Sequence, residues 1–330
     1  MKLASLKSAQ RDGQLILVNR ALTLCMPVPH IAATMQAALD NWDETEPALR
    51  AAAAKLESAR PAEAQLFDAC ACAAPLPRAY QWLDGSAYLH HVELVRKARG
   101  AEMPASFRTD PLMYQGGSDA FLGPRDAAEF ANEAQGIDLE AEVAVITDDV
   151  PFGVTPDTAV SHVKLIVLVN DWSLRNLIPG ELAKNFGFLQ SKPATAFSAI
   201  AATPDELGDA WHEGKLHLPL VSRINAELLG RPNAGVDMNF SFYELLAHAA
   251  RTRRLGAGTV LGSGTVANRD PELGCSCLAE RRTLEVLKYG AARTPFLKFG
   301  DRVRIEMLAA SGASIFGALD QEVVLSRANP

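Results

Sequence analysis

Two apolar runs, Val143-Ala-Val-Ile146 and Leu165-Ile-Val-Leu-Val169, constrain the fold more than any other feature of this chain. Both are rich in β-branched residues and long enough for buried strands. Acids border each run: Glu140 and Glu142 stand before and at the start of the first, and Asp171 follows the second after Asn170. Side chains two residues apart share one face of a strand, so Glu140 and Glu142 project together. Like charges about 4 Å apart repel by roughly 1 kcal/mol in water and about 4 kcal/mol at an effective dielectric near 20, so the pair needs a cation, a proton or open water. Oxygen ligands without a neighbouring Cys or His favour Mg²⁺, Ca²⁺ or Mn²⁺ over Zn²⁺. A solvated acidic face is the competing reading of the doublet. Asp171, at the mouth of an apolar strand, favours a cleft instead.

At 330 residues the chain exceeds the usual single-domain size, which predicts a large domain and a smaller one. Hydrophobic residues make up 48% and charged residues 22%, a globular balance. The formal net charge of -7 and the lack of a basic stripe argue against nucleic acid or an anionic membrane as partner. The first residues carry no apolar core of signal length and no stretch has membrane-helix length, which leads to a cytoplasmic expectation. Five cysteines without a signal peptide imply reduced thiols. The pairs Cys70/Cys72 and Cys275/Cys277 are too closely spaced for the usual structural zinc motif.

The N-terminal part reads as strands around Leu15–Val18, then helices near 30–43 and 46–59, the latter rich in alanine. Pro61, Pro75 and Pro77 mark an irregular connection, so the expected division is a small domain with linker over 1–79 and a mainly β domain over 80–330. Strands are predicted at 143–146, 164–170, 216–222 and 302–307. Ser241-Phe-Tyr-Glu244 reads as a capping box opening a helix. Gly262-Ser-Gly-Thr265 lacks the third spaced glycine of a dinucleotide-binding turn.

Taken in order, several segments resemble the fumarylacetoacetate hydrolase family. They are Asp84 with His91 seven residues on, Tyr114-Gln-Gly116, Asp138-Leu-Glu-Ala-Glu142, Asn170-Asp-Trp-Ser-Leu-Arg175, Phe188-Leu-Gln-Ser-Lys192 and Gly262-Ser-Gly-Thr265. The resemblance covers about 80–320. It implies an α+β, mainly β fold: a mixed β-sandwich roll with a small α/β N-terminal domain, a divalent cation (Mg²⁺ or Ca²⁺, with Mn²⁺ also suitable) and a homodimer.

Carried over by position, the resemblance makes Asp84, Glu140, Glu142 and Asp171 metal ligands and His91 the catalytic base, with Glu280 orienting it and Lys192 beside the metal. Asp84-Gly85 also reads as an ordinary turn, His90 competes with His91, and Glu280 beside Arg281 and Arg282 also reads as a surface residue. Tyr114, Arg175 and Thr265 match substrate-binding positions, and a guanidinium suits a carboxylate because it makes two bonds to it. The segment Pro193-Ala-Thr195-Ala196 departs from the family pattern.

The implied activity is metal-dependent hydrolysis of a carbon–carbon bond in a 1,3-diketo acid. For 4-fumarylacetoacetate, in tyrosine and homogentisate catabolism, the products are fumarate and acetoacetate. Alternatives on the same scaffold are acylpyruvate hydrolysis and oxaloacetate-type decarboxylation or isomerisation. A non-catalytic metal-binding dimer is the alternative of another class.

Overall fold

The computed structural model describes residues 1–98 and 102–326. An eleven-stranded mixed sheet forms its centre. The two apolar runs become adjacent antiparallel strands, Ala141–Thr147 and Val163–Asn170, with Val143 opposite Leu168 and Val145 opposite Ile166. On one side Thr259–Gly262 adds antiparallel, Gln81–Gly85 lies parallel to it, and Met113–Gly116 closes that edge. On the other side Ala201–Ala202 joins the sheet to Lys2–Leu6, Gln14–Val18, Leu24–Pro27 and Gln65–Leu66. Hydrogen bonding of one sheet therefore runs from the N-terminal strands into those beyond residue 80.

Both faces of this sheet are covered, and the sequence pattern follows from that. Val143, Val145, Ile166 and Leu168 point into a core shared with Val303, Ile305, Leu319 and Val323. Those four belong to a second, five-stranded sheet that includes Arg302–Met307 and Leu319–Leu325. The alternate residues Ala144, Ile146, Leu165 and Val167 pack with Leu39, Trp42, Leu49 and Leu56 of the helices Met35–Asp40 and Trp42–Ser58. Burial on both faces replaces the usual apolar–polar alternation with continuous apolar runs. The architecture is α+β and mainly β.

The capping box forms as expected, with Ser241 and Glu244 opening the helix Phe242–Ala249. The strand expected at 216–222 is instead Lys215–Leu216 followed by Leu220–Ile224, because Pro219 cannot donate to a ladder and separates them. The helix Leu278–Tyr289 was not foreseen. Its cap is Cys277, a residue outside the usual capping set, and only Gly290 in a left-handed conformation gives a conventional stop signal. No helix among the described residues is long and apolar enough to cross a membrane.

Candidate active site

Strand parity gathers the acids. Trp82 and Ala144 belong to the core beneath the N-terminal helices, and Asp84 and Glu142, each two residues away on its own strand, continue that face. Gly262 pairs with both Asp84 and Ala144. A β-carbon at Gly262 would stand 2.5 Å from the Trp82 ring, 2.6 Å from Asp84 Oδ1 and 3.1 Å from Glu142 Oε2, so glycine is what lets the two acids approach. Asp171 arrives where Val163–Asn170 ends, its amide donating to the Glu140 carbonyl at 2.9 Å. Carboxylate oxygens of Asp84, Glu142 and Asp171 lie within 4.8 Å of one another, and all three residues are buried. Asp84 is not in a turn: it sits within the strand Gln81–Gly85, and its Oδ1 accepts the Gly264 N–H at 3.0 Å.

Two cations meet part of this charge. Lys192 Nζ donates to Glu140 Oε2 at 2.6 Å and also to Asp171 Oδ2. The Tyr114 hydroxyl donates to Asp171 Oδ2 at 2.6 Å, and Thr195 donates to Oδ1 at 2.9 Å. Arg175 spans Asp138, 2.8 Å from Nε, and Glu140, 2.7 Å from Nη1. Burial alone would raise the Glu140 carboxyl, but Arg175 and Lys192 hold it down at about 2. Burial would likewise lower the Lys192 ammonium, yet Asp171 and Glu140 keep it well above its ordinary range.

Glu142 has no comparable support. Both of its carboxylate oxygens are buried without a hydrogen-bond partner among the described residues. Burial, then Asp84 and Asp171, push its carboxyl well above the usual range. Burial and Asp171 push Asp84 up to about 8. Five carboxylates (Asp84, Asp138, Glu140, Glu142 and Asp171) thus face two cations, Lys192 and Arg175. Uncompensated buried charge is costly, and an all-oxygen donor set with two orphaned oxygens fits a hard divalent cation. Oxygens of Asp84, Glu142 and Asp171 converge, and Glu140, bonded to Arg175 and Lys192, stands beside them on the cavity wall.

Across the cleft, His91 projects from the helix Leu89–Ala98 toward Glu280 in the first turn of Leu278–Tyr289. Its Nδ1 lies 2.6 Å from Glu280 Oε2. Glu280 is only 2% exposed, which removes the surface reading, and His90 does not line the cleft. With Nδ1–H donated to the carboxylate, Nε2 keeps a lone pair for a reacting proton. The cavity holds about 520 Å³ and is lined by Asp84, His91, Tyr114, Glu140, Arg175, Lys192 and Thr265, with Phe107, Ile178, Phe188 and Phe296 as apolar wall. Gly264 beside Thr265 has φ +77°, and a β-carbon there would meet the Gly85 carbonyl at 2.3 Å.

Asp138 is the residue whose part was missed in sequence. It accepts from the Leu278 and Ala279 amides at 2.7 and 2.8 Å while holding Arg175, so one carboxylate ties the Glu280 helix to the cleft. Its position at the head of Asp138-Leu-Glu-Ala-Glu142 was visible, but the helix N-terminus it serves lies 140 residues away.

Fold and cleft together define an α+β protein with a cation-ready carboxylate site facing a histidine–glutamate pair. The chain belongs to the fumarylacetoacetate hydrolase family: residues 81–324 match the Fumarylacetoacetate (FAA) hydrolase C-terminal family, and residues 1–78 match Fumarylacetoacetase N-terminal domain 2. It is 24% identical over 211 residues to a fumarylacetoacetase of Emericella nidulans, covering 55% of this chain and 49% of that protein. It is 25% identical over 207 residues to the mitochondrial oxaloacetate tautomerase fahd2 of Xenopus laevis, covering 60% and 55%. The match thus spans about half the length of these curated relatives. Among solved structures, a maleylpyruvate hydrolase from Sphingobium sp. SYK-6 in complex with manganese (II) ion and pyruvate aligns with a TM-score of 0.66 at 15% identity, over 99% of this chain and 100% of that one. That likeness is one of fold. The family is one of enzymes that includes hydrolases, isomerases and oxaloacetate tautomerases.

Proposed function

We propose that this protein hydrolyses a carbon–carbon bond in a 1,3-diketo acid, with 4-fumarylacetoacetate as the preferred substrate, in a cation-dependent reaction. The observation that carries this reading is that His91, paired with the buried Glu280 behind it, lines the same cavity as Asp84, Glu140 and Lys192. A divalent cation held by Asp84, Glu140, Glu142 and Asp171 would supply Lewis-acid polarisation of the diketone oxygens.

The chain's own residues do the rest. Arg175 and Thr265 anchor the acid end of the substrate, and Tyr114, bonded to Asp171, flanks the reacting carbonyl. His91, oriented by Glu280, takes a proton from water at Nε2, and the hydroxide adds to the carbonyl carbon. The carbon–carbon bond then breaks, and its electron pair leaves on carbon as an enolate. Lys192, kept protonated by Asp171 and Glu140, meets that developing charge, and the His91 imidazolium returns its proton to carbon. Replacing His91 with Ala should lower turnover by at least about 100-fold while Mg²⁺ binding measured calorimetrically is retained. Normal turnover by that variant would refute the assignment.

A second reading is proton transfer without water, as in keto–enol isomerisation of a 2-oxo diacid. Similarity to the oxaloacetate tautomerase favours it, since His91 and Lys192 can move a proton between carbon and oxygen in the same cleft. Conversion of oxaloacetate without turnover of any diketo acid would select it.

A further inference from the structure

We propose that a second metal environment, selective for thiophilic cations such as Zn²⁺ and built from His91, Cys277 and Glu280, lies behind the wall of the cleft. A ring nitrogen of His91, the Cys277 sulfur and a Glu280 carboxylate oxygen all lie within 4.8 Å of one another. They come from two packed helices: His91 from Leu89–Ala98, and Cys277 and Glu280 from the cap and first turn of Leu278–Tyr289. Cys277 and Glu280 are buried, and His91, 17% exposed, opens the group to the cavity.

The spacing of Cys275 and Cys277 disfavours a zinc site made from two neighbouring thiols. The fold removes the need for a second thiol by bringing an imidazole and a carboxylate to Cys277 from elsewhere. Sulfur, nitrogen and oxygen donors in one group suit Zn²⁺ and are unsuited to Mg²⁺ or Ca²⁺, and three protein ligands leave the fourth position to water. This group is separate from the all-oxygen cluster of Asp84, Glu142 and Asp171.

Formation of the sulfur–metal bond releases the Cys277 thiol proton to solvent, while His91 and Glu280 each contribute a lone pair. Zinc on Nε2 occupies the pair that would accept the proton of water. Zinc on Nδ1 forces the imidazole proton onto Nε2, with the same result. Zn²⁺ bound here is therefore an inhibitor; this consequence rests on the proposed role of His91, whereas the binding does not.

Co²⁺ is the probe, because thiolate-bound Co²⁺ gives a near-ultraviolet charge-transfer band that an all-oxygen site cannot give. Titrated into whole protein presaturated with Mg²⁺, Co²⁺ should produce a saturable band that Zn²⁺ displaces, with one thiol proton released per Zn²⁺ bound in a Co²⁺-free titration. Cys277→Ser should abolish the band, since its hydroxyl still caps the helix but is a poor ligand for these cations. The same variant should keep Mg²⁺-supported turnover and raise the half-inhibitory Zn²⁺ concentration more than about 10-fold, because even partners behind metal ligands are worth about 10–100-fold. No band in the wild type, or an undiminished band in Cys277→Ser, overturns the site whatever the reaction. A Cys277-dependent band with turnover untouched by Zn²⁺ overturns the inhibitory coupling.

Discussion

Replacing Asp84 with Asn should flatten the pH dependence of stability in the cation-stripped protein. Burial and the neighbouring Asp171 raise the Asp84 carboxyl from 3.8 to about 8. A carboxyl raised in this way binds its proton more tightly folded than unfolded, so its contribution is full below about pH 4 and is lost as pH rises toward 8. At 1.36 kcal/mol per pH unit, that interval sets a ceiling of roughly 6 kcal/mol. Relaxation and water entry reduce such penalties, and a fall of about 3 kcal/mol is expected. Glu142, raised for the same reasons, acts in the same direction. Asn keeps the oxygen that accepts the Gly264 N–H but carries no charge. Urea unfolding of EDTA-treated protein between about pH 5 and 8, followed by tryptophan fluorescence, measures the slope. Wild type should lose stability with rising pH, Asp84→Asn clearly less, and Mg²⁺ should restore the wild type alone. A variant that falls as steeply as wild type would refute the reasoning.

Gly262→Ala drives a β-carbon into the Trp82 ring and Asp84 Oδ1. It should destabilise the fold by about 1–3 kcal/mol and weaken Mg²⁺ binding, as read by denaturation and calorimetry. Glu280→Gln keeps an acceptor for His91 Nδ1–H but not the charge that stabilises imidazolium, so kcat should drop roughly 100-fold or more with little change in KM.

Asp171 was legible because an acid closing a long apolar run has few places to go except the end of a buried strand. The doublet Glu140 and Glu142 was legible as a pair, but its division of labour was not. Glu140 is taken up by Arg175 and Lys192 while Glu142 has no hydrogen-bond partner among the described residues, and that depends on contacts 35 and 52 residues away in sequence. For Asp84 the sequence leaves ligand and turn residue both open, because Asp-Gly favours turns locally; parallel pairing with Thr259–Gly262 overrides that preference. The helix carrying Glu280 was hidden by its cysteine cap and charged surface. The apolar runs gave the strands, but the covers on their two faces, N-terminal helices on one side and a second sheet on the other, are choices of long-range packing. The resemblance to the family supplied what local pattern could not: which distant residues meet.

The central claim is tested most directly by mixing purified, EDTA-stripped protein with 4-fumarylacetoacetate and following the diketone ultraviolet absorbance with and without Mg²⁺ or Ca²⁺. The account predicts loss of absorbance only when the cation is present, with fumarate and acetoacetate as products. Undiminished absorbance with the cation demonstrably bound would contradict it.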